Sequence, residues 1–181
     1  MSGGGIIWDD GTVQAFRKRG SAVISSVLRG VNTVGYVGTD RIEEEAAELA
    51  VENRGPVIND AGQPLRFALI ARPGSPATNK LRSGEPVSIV SSYPRTALEM
   101  LGRERIASVE NVRGCIEAEL VDRTDIDAAF ELVQSGDSVR QNGLEIIEDD
   151  LRSVYLAMIR KSSYGIDGLM LANTGEKCEN D

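Results

Sequence analysis

Short apolar runs alternate with helical periodicities along this chain, and that alternation limits the folds open to it more than any other feature. The runs at 33–38, 65–71, 86–91, 106–112 and 145–159 are rich in β-branched and aliphatic residues and are bounded by Gly, Pro, Asn and Asp, the pattern of buried strands. Residues 5–8 and 114–118 read as shorter strands or turns. Helices are expected at 12–19, at 21–29 with Gly30 as the stop, from Asp40 to about Glu52, and from Pro94 to Leu101. Asp40 and Glu43 have the spacing of a capping box. Glu43, Glu44, Glu45, Glu48 and Glu52 read as the solvated face of that helix, opposite Ile42, Ala46, Leu49 and Ala50. Residues 72–85 contain Pro73, Gly74, Pro76 and Gly84 and read as a loop crossing between lobes. Strand–helix alternation predicts an α/β fold with mostly parallel pairing.

The stretch 125–144 carries the most chemistry. Ile126, Ala129, Phe130 and Val133 recur at the spacing of one buried helical face, which would put Asp127 and Glu131 one turn apart on another face. A polar loop follows at 134–138. A second short helix is expected to start with Asp137 or Ser138 as N-cap and to stop at Asn142 and Gly143. A hydroxyl–Gly–x–hydroxyl loop at a helix start suits an anion, because glycine admits close backbone approach and the free N–H groups and hydroxyls can donate to phosphate oxygens. The same residues also read as an ordinary helix–turn–helix corner.

Composition narrows the chemistry. A chain of 181 residues is one large domain or two small lobes. Its net charge of −8 argues against non-specific binding to nucleic acid or to an anionic membrane. It also means that local donors or a divalent cation must offset repulsion of any phosphorylated ligand. Histidine is absent, which excludes histidine triads, histidine general bases and most zinc sites. Cys115 and Cys178 lie far apart, consistent with a reduced setting, and Cys115 reads as a small core hydrophobe. No apolar run has transmembrane length, and the first residues lack the pattern of a signal peptide, so a cytoplasmic location is expected. The polar segment 162–181 is expected to be loosely ordered.

Four segments, in order, carry a resemblance. Residues 127–144, DAAFELVQSGDSVRQNGL, are similar to the phosphoribosyl-pyrophosphate segment DAIxDLVSTGATLRxNGL of the ATP phosphoribosyltransferase catalytic subunit. GCIE at 114–117 resembles that family's GSVE, SSYP at 91–94 its T-x-Y-P turn, and VGYVGTD at 34–40 its LGIVGxD. Arg19 falls where the family places an arginine ahead of VxxGxxDLG. Together they span about 19–159.

The resemblance implies two α/β lobes around a cleft, similar to type II periplasmic-binding proteins. The first lobe would comprise 1–85 plus 144–161 and the second 86–143, with 162–181 as a tail. It implies transfer of ribosyl phosphate from phosphoribosyl pyrophosphate to N1 of the adenine of ATP, with release of pyrophosphate, the first step of histidine biosynthesis. Mg²⁺ would accompany the substrates. Ser135, Gly136, Asp137 and Ser138 would hold the 5-phosphate. Asp127 and Glu131 would approach the ribose hydroxyls, Glu117 the pyrophosphate, and Arg19 a phosphate. A short form of this kind would be oligomeric, with a regulatory subunit resembling a histidyl-tRNA synthetase. Two departures support an alternative, a divergent relative that binds a phosphorylated ligand without turnover or acts as a partner subunit. The family's Pro-Lys-Gly-Arg-Leu segment has no counterpart, and Asp137 stands where the family has a small neutral residue.

Overall fold

The computed structural model describes residues 6–9, 11–45, 49–59, 61–112, 114 and 116–161. A hairpin of β1 (Ile6–Asp9) and β2 (Gln14–Phe16) comes first, followed by α1 (Gly20–Leu28), β3 (Val34–Gly38), α2 (Thr39–Glu45) and β4 (Leu49–Pro56). Then come β5 (Arg66–Ala71), α3 (Ala77–Ser83), β6 (Val87–Ser91), α4 (Pro94–Leu101), β7 (Ile106–Asn111), α5 (Ile116–Asp122) and β8 (Ala128–Val133). The described chain ends with α6 (Asp137–Gln141), β9 (Glu145–Ser153) and β10 (Tyr155–Lys161). Among the described residues no helix is long and apolar enough to cross a membrane. Cys115, Ala46, Glu48 and 162–181, on which some expectations fell, lie outside the described residues.

A three-stranded sheet runs β3-β10-β4 and a five-stranded sheet runs β7-β6-β8-β5-β9. The α/β class holds, but mostly parallel pairing does not. Only β6 with β7 and β6 with β8 pair in parallel among the described residues; the other pairs are antiparallel. Parallel neighbours need a long crossover, which α4 and α5 supply between β6, β7 and β8. The hydrogen bonds of β5 and β9 lie in the same sheet as β8. Residues 65–71 and 145–153, expected in the first lobe, therefore share their sheet with the second.

Residues 128–133 form a strand, not the expected helix. Ala128 and Phe130 enter one core with Phe67, Leu69 and Ile89, while Ala129 and Val133 enter the other with Ile70, Val90 and Leu120. A helix burying Ile126, Ala129, Phe130 and Val133 would have left Ala128 and Leu132 outside. A strand buried on both faces accounts for the unbroken apolar run. Three other stretches differ in the same local way. Residues 14–16 are a strand, 77–83 a helix, and a helix begins at Ile116. The expected helix from Asp40 stops at Glu45, and strand β4 begins at Leu49.

Glu44 is not a solvated charge. Its carboxylate accepts the N–H groups of Arg95 (3.2 Å) and Thr96 (2.9 Å) and the Thr96 hydroxyl (3.0 Å), at the open amides of the first turn of α4. Glu43 pairs with Arg152 at 2.8 Å. The Tyr93 hydroxyl donates to Asp40 at 2.9 Å. Gly38 permits this approach, since a Cβ there would lie 2.1 Å from the Asp40 carboxylate. Thus α2, which follows the three-stranded sheet, is fastened to α4 on the five-stranded one.

Phe67 is central to the larger core. It stacks on Phe130 at 4.9 Å and meets Tyr93 edge-on at 5.2 Å. Phe67→Ala should lower stability by about 3–5 kcal/mol in urea unfolding. A loss below about 1 kcal/mol would contradict this account of the core.

Candidate functional site

The parallel strands β7, β6 and β8 end on one edge of the sheet, and ligands of such sheets bind beyond the carboxyl ends of the strands. A cleft of about 840 Å³ lies there, between that edge and the α1–α2 side. Arg19, Gly20, Arg41, Glu44, Ser92 and Asn111 contribute to its walls, and Gly114 of the GCIE segment reaches it too.

The 134–138 loop leaves the same end of β8. Gly136 turns the chain with φ 74°, where a side chain would be strained, and it is the N-cap of α6 in place of the expected Asp137 or Ser138. Asp137 is the first helical residue, and its carboxylate is used locally. It accepts the Ser135 hydroxyl at 2.6 Å and the Arg140 guanidinium at 2.5 Å. The Asp137 N–H donates to Ser135 Oγ at 3.3 Å. The Ser135 hydroxyl, and then Arg140, hold the Asp137 carboxyl below its ordinary pKa. The Ser138 hydroxyl donates to Glu117 Oε1 at 3.0 Å. Among the described residues neither the Ser138 nor the Val139 N–H donates to a protein acceptor. Ser135, Gly136, Asp137, Ser138 and Glu117 are therefore brought together.

Asp127 is not with them. It precedes β8 at its opposite end, separated by about 20 Å of strand. Both its carboxylate oxygens accept Lys80 Nζ, at 2.9 and 2.8 Å, and one also accepts the Ser88 N–H at 2.9 Å. It is buried and ties α3 and β6 to the start of β8, a structural task. The expected pairing of Asp127 with Glu131 rested on a helical turn, and the strand removes it. Glu131 is largely buried, and burial raises its pKa to about 7, against a lowering by the Leu132 N–H. The charges of Glu117 and Asp40 raise it further and that of Arg41 lowers it. Glu131 thus shares an electrostatic environment with the loop on one side and the cleft on the other.

Arg19 immediately precedes α1, is exposed, lines the cleft and makes no side-chain bond among the described residues. No sequence pattern singled out Arg41, Arg140 or Lys80, although each is the cationic partner of a carboxylate nearby. Cations one to four residues from a candidate acid would have pointed to Arg41 and Arg140. Lys80 needed the fold. As for a divalent cation, no group of three or more Cys, Asp or Glu side chains among the described residues could hold one. Glu117 and Glu131 fit only a cation that brings most of its ligands with the substrate.

Residues 19–174 match the protein family described as "HisG: ATP phosphoribosyltransferase". A protein of Staphylococcus saprophyticus named ATP phosphoribosyltransferase is 32% identical over 158 residues, covering 85% of this chain and 69% of that one. Among solved structures, the ATP phosphoribosyl transferase (HisG:HisZ) complex from Thermotoga maritima aligns with TM-score 0.59 at 17% identity, over 84% of this chain and 71% of that one. A histidine kinase sensor domain with similarity to periplasmic binding proteins aligns with TM-score 0.51 at 14% identity, over 80% and 62%. These shapes agree with the expected α/β plan.

Two substitutions test the placements. A carboxyl with a raised folded pKa is still protonated where its unfolded counterpart is ionised. Glu131 therefore removes stability as pH rises from about 4.5 to about 7. Glu131→Gln should be more stable than the parent at pH 8 by about 3 kcal/mol, with the difference closing below pH 4.5. Equal stability at both pH values would contradict a buried, charge-averse Glu131. Asp127→Ala should cost about 3 kcal/mol, because it strands Lys80 and the Ser88 N–H. An unaltered urea midpoint would argue against that structural task.

Proposed function

The chain belongs to the ATP phosphoribosyltransferase family, enzymes of the first step of histidine biosynthesis, and we propose that it performs this reaction at the cleft edge of the five-stranded sheet. In that reaction the N1 lone pair of adenine attacks C1 of the ribose. The C1–O bond to the diphosphate breaks, and diphosphate leaves with the bonding electrons. The developing positive charge is on the sugar, so positioning and charge complementarity carry the catalysis. No histidine or protein nucleophile is needed, in keeping with a chain that has no histidine.

The observation that carries the site assignment is the loop after β8, which leaves the strand at the end where β6 and β7 also finish and has a left-handed glycine and, among the described residues, two unaccepted N–H groups. The 5-phosphate would take the Ser138 and Val139 N–H groups and the Ser138 hydroxyl, displacing Glu117 from that hydroxyl. Arg140 neutralises Asp137, which offsets the repulsion its carboxylate would exert on a phosphate in this loop. Mg²⁺, arriving on the diphosphate, would meet Glu117 and Glu131 and offset the leaving group's charge. ATP would enter from the Arg19 side. The Thermotoga maritima structure is of a HisG:HisZ complex, which motivates a hetero-oligomer with a regulatory subunit, and the pathway motivates a cytoplasmic location. One observation favours binding without turnover instead: the hydroxyls of Ser135 and Ser138 are both engaged by carboxylates.

Pyrophosphate release decides between these. With ATP, phosphoribosyl pyrophosphate, Mg²⁺ and a regulatory subunit present, release should require both substrates. Stabilisation by ligands without release would favour the binding protein. Ser138→Ala should raise KM for phosphoribosyl pyrophosphate about tenfold with little change in melting temperature. An unchanged KM would remove the loop from the site.

A further inference from the structure

A line of rings leads from the middle of the five-stranded sheet to the cleft. Phe130 on β8 stacks on Phe67 of β5 with centroids 4.9 Å apart and planes 13° apart. Phe67 meets Tyr93 edge-on at 5.2 Å. Both phenylalanines are fully buried and Tyr93 nearly so. The Arg41 guanidinium carbon lies 4.2 Å from the centroid of the Tyr93 ring, at the end of this line. The Tyr93 hydroxyl is fixed by its bond to Asp40, so the ring on which Arg41 rests cannot swing. Asp40 also sits 3.7 Å from Arg41 Nε, a charge contact too long for a hydrogen bond.

This arrangement leaves a cation in place with its donors unspent. Arg41 lines the cleft, its side chain is 34% exposed, and among the described residues it makes no hydrogen bond to a protein acceptor. Stacking positions the guanidinium without using its N–H groups, which form a planar fork matched to phosphate oxygens. A partly desolvated guanidinium favours a permanently charged acceptor over water. Arg19 lines the same cleft, as do the acids Glu44, whose oxygens are bound at the start of α4, and Glu45. In a protein of net charge −8, cations so placed are the means of admitting a polyanion.

We propose that Arg41, mounted on Tyr93, binds a phosphate of a polyphosphate substrate in the cleft, with Arg19 as the second cation. The ligand chemistry is a di- or triphosphate oxyanion, supplied by phosphoribosyl pyrophosphate or by ATP. The identity of these two sources rests on the function proposed above, whereas binding of a diphosphate does not.

Calorimetric titration of the full chain with inorganic diphosphate provides the test, using the parent, Arg41→Met, Arg41→Lys and Tyr93→Phe. Arg41→Met should weaken diphosphate about 10- to 100-fold. Arg41→Lys, which keeps the charge and loses the fork, should recover part of that loss. Tyr93→Phe keeps the ring but releases it from Asp40, and should weaken diphosphate by less than Arg41→Met does. Circular dichroism melts show whether each variant is folded, and if Arg41→Met is not, Arg41→Lys still has to bind more weakly than the parent. Separate titrations with ATP and phosphoribosyl pyrophosphate identify the source by which affinity falls in the Arg41 variants. The proposal is overturned if the parent does not bind diphosphate or if folded Arg41 variants bind it as the parent does. Loss of the proposed function would show differently, as diphosphate binding without two-substrate turnover.

Discussion

Strand β8 hydrogen-bonds to β6 in the parallel sense and to β5 in the antiparallel sense, so it stands where the sheet changes direction. Both of its faces are buried, with Phe130 on one side and Ala129 and Val133 on the other. Slipping such a strand by one residue would exchange the two sets of side chains between cores of different shape. That constraint fixes its two ends. At one end Asp127 is held by Lys80 and the Ser88 N–H. At the other the chain must leave the sheet, and Gly136 turns it into α6, which packs against β9. The loop has a defined place because the strand before it has no freedom.

The second organising contact lies between α2 and α4. Glu44 accepts three donors at the start of α4, and Asp40 accepts the Tyr93 hydroxyl. These bonds draw the three-stranded sheet's helices toward the five-stranded sheet, and the cleft is the space left between them. Charge follows the same plan. Glu44, Glu117 and Asp137 are engaged with backbone amides, hydroxyls or Arg140, whereas Arg19 and Arg41 line the cleft beside the exposed Glu45 with donors available among the described residues. The cleft wall of this acidic chain thus offers two guanidiniums whose donors are open to a phosphate.

The β-branched runs 33–38, 86–91 and 106–112 were legible because strand composition and turn residues agreed with the tertiary result. The helix at 94–101 was legible for the same reason, with proline at its start. Residues 126–133 were not, since Ile126, Ala129, Phe130 and Val133 satisfy a helical spacing while a doubly buried strand satisfies every position. Only the partners on both sides, β5 and β6, decide between them. Glu44 looked like one of a row of surface acids, and its role depends on α4, which lies about fifty residues further along. The loop was legible as glycine and hydroxyls, and the family from four short segments in order. The direction of the Asp137 side chain was not, because it is set by Arg140 one turn later and by the Ser135 hydroxyl.

The central claim is that substrate phosphate is received by the backbone and hydroxyl of the loop after β8. Amide hydrogen exchange of the full chain, with and without phosphoribosyl pyrophosphate and Mg²⁺, addresses it most directly. Exchange at Ser138 and Val139 should slow on binding, with β3 and β4 unchanged. Binding of phosphoribosyl pyrophosphate that leaves exchange at Ser138 and Val139 unaltered would contradict it.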